Sequence, residues 1–217
     1  MIKPVTLTFD NGPDPDVTPR VLDILAARHI LTTFFVLGRN MARPDCRAIA
    51  ATAHAAGHWI GNHTYNHAGP IGLNPDPKAA EREIGETQSL VGDLSHPDRL
   101  FRPCGGGGKL NADLFAGRDR DFLTVGGYSC VLWNAVPGDW TNPEGWVERA
   151  FEMIDEQDWP LVVIHDIPGA CIGRLEEFLD GLAAREIEIR QDFPPDCMPV
   201  RRGEIVDPEF LGTLIAA

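Results

Sequence analysis

Two histidines, His63 and His67, stand four residues apart in the segment Gly61-Asn62-His63-Thr64-Tyr65-Asn66-His67. On a helical turn such a pair shares one face, so both imidazoles can reach a single metal ion. Two imidazoles and one oxygen ligand leave coordination positions open, as a catalytic metal requires. Alone, the spacing is also what two unrelated histidines produce. Other chemistry-bearing residues occur in Thr8-Phe9-Asp10-Asn11-Gly12-Pro13, Phe101-Arg102-Pro103, Gly138-Asp139-Trp140 and Ile164-His165-Asp166. Each has a plain structural reading as well. Asp10 to Pro13 suits an Asx-type turn. Arg102 suits an ion pair, and Asp139 a turn or helix cap.

The elements around these residues make a single site the better reading. The apolar runs at 5–9, 32–37, 100–101, 129–133 and 161–164 read as strands, with short ones at 58–61 and 187–189. Helical patterns fall between them, at 18–28, 47–56, 77–94, 110–116, 143–155 and 175–184. Thr18 reads as the cap of the first helix, with Pro19 at its first position, and Asn142 as the cap of the fifth. Strand–helix alternation implies a mainly parallel α/β sheet, closed or wound around a core. In such folds chemistry gathers at the carboxyl ends of the strands. Asp10, His63 and His67, Arg102, Asp139 and His165 all follow a strand.

Bulk properties narrow the partners. The 217 residues are 43% hydrophobic, enough for a sizeable core, and no linker or repeat divides them, so one domain spanning 1–217 is expected. The net charge of −13 disfavours nucleic acid and anionic membrane surfaces and suits a neutral substrate. No apolar run approaches the ~20 residues of a membrane span. The amino terminus lacks the pattern of a leader, and the five cysteines include no Cys-x-x-Cys pair. Together these point to a reduced, cytoplasmic setting. The Pro-rich last ~25 residues are expected to be irregular and to wrap the outside or cover a site.

Taken together, the motifs resemble those of the polysaccharide deacetylase family, whose domain is named after the nodulation chitooligosaccharide deacetylase. Its first motif is similar to Thr8-Phe9-Asp10-Asn11-Gly12-Pro13 with aspartate in the fourth place. Its second is similar to His63-Thr64-Tyr65-Asn66-His67, and its second strand resembles Thr32-Thr33-Phe34-Phe35-Val36-Leu37-Gly38. The resemblance runs over about residues 5–190. It implies a distorted (β/α) barrel of seven or eight strands.

The resemblance also implies roles. Asp10 is the general base, Arg102 holds it, His165 is the acid that protonates the leaving amine, and Asp139 orients that histidine. A divalent metal, zinc, is implied on His63, His67 and Asn11. The third motif departs from the family: its aromatic position falls on Gly105, within Gly105-Gly106-Gly107-Gly108. A backbone N–H there can still serve an oxyanion, while four glycines make a wider, more mobile loop expected. Trp133 and Trp140 either line the substrate pocket or pack in the core. Val136 stands where the family often has another aspartate, and Asn11 where it has the metal-binding one. A neutral amide holds a dication less strongly than a carboxylate. The expected activity is hydrolysis of a non-peptide amide, foremost N-deacetylation of an amino sugar or oligosaccharide. A small-molecule amidase resembling allantoinases or imidases, and a non-catalytic carbohydrate-binding relative, are the alternatives.

Overall fold

The first apolar run becomes a strand paired on both sides. In this computed structural model, which describes residues 3–216, β1 (Pro4–Asp10) lies parallel to β2 (Thr33–Val36), β6 (Leu161–His165) and β7 (Glu188–Arg190). The parallel order continues from β2 through β3 (Trp59–Asn62) and β4 (Leu100–Phe101) to β5 (Ser129–Cys130). Two short antiparallel strands, β8 (Val200–Arg201) and β9 (Glu204–Ile205), extend that edge. The ladder does not close. A single bridge between Ala135 and Val162 sets the chain after β5 against β6, giving the distorted barrel expected.

Helices α1 (Thr18–Ala27), α2 (Gly38–Met41), α3 (Pro44–Ala55), α4 (Glu86–Val91), α5 (Gly117–Val125), α6 (Trp146–Glu156), α7 (Leu175–Ala184) and α8 (Pro208–Thr213) complete the fold. Side chains alternate across a strand, and β1 shows the consequence. Val5, Leu7 and Phe9 share one apolar core with Val21, Leu25, Ala50, Trp146 and Phe178 of the helices. Thr8 and Asp10 turn to the opposite face, where they meet Arg102. The same alternation that builds the core thus aims Asp10 into the barrel.

Several elements differ from the sequence reading. The α1 cap is Val17, not Thr18; the Thr18 hydroxyl instead accepts from Asp14 N–H and donates to Asp166. The stretch 77–94 is no single helix: a five-residue π turn, Glu81–Gly85, precedes α4, and a 3-10 turn, Gly92–Leu94, follows it. Residues 110–116 are not helical, and α5 begins where that helix was expected to end. Gly145, not Asn142, precedes α6; Asn142 Oδ1 accepts from Gly145 N–H in a turn. The strand predicted at 129–133 stays in the ladder only at Ser129–Cys130. The carboxyl-terminal stretch does wrap the molecule, but it is ordered into β8, β9 and α8, and it buries Val200, Leu211 and Leu214 in the second apolar cluster. Among the described residues no helix is long and apolar enough to cross a membrane.

Phe178 is fully buried, with ring centroids 5.0 Å from Trp146 and 5.4 Å from Phe151. Phe178→Ala is expected to cost about 3–5 kcal/mol in urea unfolding. At Val125, which is 90% exposed, the alanine variant should stay within about 0.5 kcal/mol of the parent.

Candidate active site

The residues singled out at the strand ends converge on one cleft of about 410 Å³. Its walls include Asp10, Asn11, His63, His67, Gly105, Trp133, Val136, Trp140 and His165. Two carboxylate pairs stand behind it. In the first, Arg102, fully buried, donates from Nη1 to Asp10 Oδ1 at 2.8 Å and to Thr8 Oγ1 at 2.7 Å. Its Nε and Nη2 donate to the carbonyls of Val131 and Leu132, both at 3.2 Å. The guanidinium lies 4.0 Å from the centroid of the Phe35 ring. Every edge of the fork is therefore used. Burial alone would raise the Asp10 carboxyl, but Arg102, with His63 and His165, outweighs it and holds the group below the ordinary carboxylate value. Asp10 is an anion at neutral pH.

In the second pair, Asp139 takes hold of His165 twice. One carboxylate oxygen accepts from His165 N–H and the other from Nδ1, each at 2.8 Å. That bond leaves Nε2 as the nitrogen not engaged by Asp139. Burial works against charging the imidazole, but Asp139 outweighs it and the pKa is raised. Trp140, 38% exposed, stands edge-on to the His165 ring at 4.6 Å between centroids. It forms part of the cleft wall rather than the core. Trp133 is buried and also faces the cleft.

The histidine pair is held differently from the expectation. Residues 63–69 form an irregular loop, not a helical turn, and Thr64 and His67 have positive φ of 67° and 55°. The rings still meet, with centroids 4.9 Å apart. Burial pushes both imidazoles down, His67 to about 4, so both are neutral near pH 7. His63 Nδ1 lies 2.9 Å from the Arg102 carbonyl, which can only accept, so Nδ1 carries the proton. The lone pair on Nε2 then faces Asp10 Oδ2 at 3.4 Å. Two acceptors at that distance call for a cation or a proton between them. Asn11 Oδ1, on the same cleft, is buried with no hydrogen-bond partner. Among the described residues no three His, Cys, Asp or Glu side chains gather as a metal site. The set here is two neutral imidazoles and one orphaned amide oxygen, and its donor chemistry fits a divalent metal such as zinc.

The glycine loop is a hydrogen-bonded turn. Gly106, Gly107 and Gly108 all have positive φ, so the run serves a tight left-handed turn. Gly108 N–H and Lys109 N–H both donate to the Gly105 carbonyl, and Trp133 Nε1 donates to Gly108 O at 2.8 Å. A Cβ on Gly105 would lie 2.2 Å from the Trp133 ring. Trp133 thus occupies the space that a side chain at 105 would need. Cys104 is buried and its thiol is pushed up by that burial, which argues against a nucleophile.

Sequence reading missed Glu83, in the π turn. Its Oε2 accepts from Tyr65 N–H at 2.9 Å and Asn66 N–H at 2.8 Å, and its Oε1 from Asn66 Nδ2 at 2.8 Å. It props the loop between the two histidines. The only sequence signal was a lone acidic residue in a helical pattern.

An α/β barrel with paired acid–base groups and a neutral imidazole–amide set at its strand ends defines a hydrolase-type site. A family model described as polysaccharide deacetylase matches residues 2–117. The peptidoglycan-N-acetylglucosamine deacetylase of Bacillus cereus is 33% identical over 168 residues, 76% of this chain and 73% of the relative. The chitooligosaccharide deacetylase of Rhizobium leguminosarum bv. trifolii is 35% identical over 140 residues, covering 64% of this chain and 60% of the relative's own length. The peptidoglycan deacetylase PdaC from Bacillus subtilis superposes with a TM-score of 0.68 at 27% identity, over 87% of each chain. The chain belongs to the polysaccharide deacetylase family.

If Glu83 holds the histidine loop, Glu83→Ala should speed hydrogen exchange at the Tyr65 and Asn66 amides roughly tenfold or more, the scale of a lost charge-assisted bond. Glu83→Gln, which keeps an acceptor for both amides, should exchange nearly as the parent does.

Proposed function

We propose that the protein is a metal-dependent hydrolase removing N-acetyl groups from amino sugars in a neutral oligosaccharide or peptidoglycan strand. The observation that carries this reading is that Asp10, held by Arg102, and His165, held by Asp139, line one cleft from neighbouring strand ends. Amide hydrolysis needs both functions at once: a base for water and an acid for a poor amine leaving group. The relatives named as deacetylases of N-acetylglucosamine in peptidoglycan and of chitooligosaccharides support the substrate class. The strongly negative chain favours a neutral sugar over a polyanion.

His63, His67 and Asn11 would hold the metal. When bound, it would polarise the acyl carbonyl and make water easier to deprotonate. Asp10 takes the proton from the attacking water; its low pKa keeps it in the basic form. The Gly105 N–H serves the developing oxyanion. Trp133, Trp140 and Val163 give the acyl group an apolar wall. His165 donates its proton to the departing nitrogen, and Asp139 keeps the ring aimed and supplied. Acetate release from chitooligosaccharides and peptidoglycan fragments, measured with added zinc, tests the reading. No release from either set under any metal would refute it.

Asp10→Ala or His165→Ala should each lower turnover by about 10²–10⁴-fold; full activity of Asp10→Ala would end the mechanism.

The pH profile follows from His165. Its folded pKa lies above the ordinary histidine value, so the acid form, and the ion pair's contribution to stability, is complete below that value. Both are lost as pH rises through the raised pKa. The alkaline limb of kcat should therefore move to lower pH in Asp139→Asn, which removes the charge that raises it. An unmoved limb would assign that limb to another group.

For Asn11, charge is what the amide lacks, so Asn11→Asp should tighten zinc binding in titration calorimetry. Turnover need not rise, because a second carboxylate beside Asp10 also tempers the metal's pull on water. Equal affinities would mean that Asn11 is not a ligand.

A further inference from the structure

Asp166 follows His165 directly but does not face the cleft; its neighbours His165 and Ile167 line the cleft and it does not. It is 1% exposed. The β1–β6 ladder ends with Asp10 opposite His165. One step beyond, Asp166 Oδ1 accepts the Gly12 N–H at 3.1 Å, across 154 residues of chain. The other oxygen accepts from the Thr18 hydroxyl at 2.5 Å, and Thr18 Oγ1 accepts in turn from Asp14 N–H at 2.8 Å. One buried carboxylate therefore ties both ends of the turn between β1 and α1.

That turn carries Asn11, whose φ of 79° is unfavourable for a side-chain-bearing residue and persists only where its surroundings over-determine it. Asn11 N–H donates to the Phe35 carbonyl, and its own carbonyl accepts from Asn40 Nδ2. Gly12 O accepts from Leu37 N–H. The bond from Gly12 N–H to Asp166 is the one that comes from the β6 side. It also explains the glycine: a Cβ at position 12 would lie 2.1 Å from Asp166 Oδ2. Burial pushes the Asp166 carboxyl up to about 7, so keeping this group inside on an amide and a hydroxyl is costly, which points to a positional use.

We propose that Asp166 is a positioning residue that sets Asn11 against His63 and His67 through the Gly12 amide and the Thr18 hydroxyl. This rests on the reading of those three side chains as the metal site. Partners one step behind metal ligands commonly govern affinity by 10- to 100-fold, and Asp166 acts on the loop that bears the weakest ligand. Asp10 should feel little of its loss, because Arg102 and the strand register hold it independently.

The test is zinc titration calorimetry on the purified chain and its variants, with the melting temperature of the zinc-free proteins as a check of folding. Asp166→Ala should bind zinc roughly 10–100-fold more weakly than the parent. Asp166→Asn, which keeps an acceptor for Gly12 N–H, should recover part of that loss. Thr18→Val, which removes the hydroxyl's bonds to Asp166 and from Asp14 N–H but leaves Gly12 N–H on Asp166, should weaken zinc less than Asp166→Ala. If Asp166→Ala does not fold, Thr18→Val and Asp166→Asn decide the matter. Parent-like zinc affinity in every folded variant, with His63→Ala unable to bind, would overturn the role of Asp166 and leave the metal site standing. Failure of the parent to bind zinc, or unchanged binding in His63→Ala, would overturn the site and this inference with it.

Discussion

The buried guanidinium of Arg102 is the interaction on which the rest of the site depends. A charge with no exposure must have its donors met and its charge balanced. Arg102 meets both needs by reaching three parts of the barrel: Thr8 and Asp10 on β1, the carbonyls of Val131 and Leu132 after β5, and the Phe35 ring on β2. Its own carbonyl accepts from His63 Nδ1. One residue thereby fixes the base as an anion and the His63 tautomer with its lone pair toward the base. Lysine, a point charge, cannot reproduce that fork.

Around this centre the cleft divides by charge. On one side are His63, His67 and Asn11, with both imidazoles pushed down by burial; on the other, Asp139 raises the pKa of His165 against the burial that would lower it. Asp10 lies between them. Around the two histidines and Asn11, carboxylates act from behind: Glu83 on the amides between the histidines, and Asp166 on the amide next to Asn11. The Trp133 ring and the glycine turn form a second compensation. Where the family places an aromatic side chain, this chain has Gly105, and the space is taken by an indole from another loop.

Much of this was legible in the sequence because it is local. The apolar run at 5–9 reads as a buried strand, and Asp10 follows it directly. The turn residues after each apolar run mark where the strands end, and parallel strands place such ends together. The motifs in their order identified the family, the barrel and the shared cleft. Local patterns misled where tertiary contacts prevailed. Thr18 reads as a cap, yet its hydroxyl is engaged by Asp166. The span 77–94 reads as one amphipathic helix, yet a π turn interrupts it at the residue that props the histidine loop.

The sequence by itself determined which chemical groups are present, in what order, and at the ends of which strands, since these follow from residue type and short-range periodicity. Only the tertiary structure decided how the groups are held. Whether His63 and His67 converge depends on left-handed backbone at Thr64 and His67, which a His-x-x-x-His spacing does not specify and Glu83 supports from another element. That Gly12 must be glycine depends on Asp166, 154 residues away. Such contacts join residues that nothing in their own neighbourhoods links, and the packed sheet alone brings them within hydrogen-bond distance.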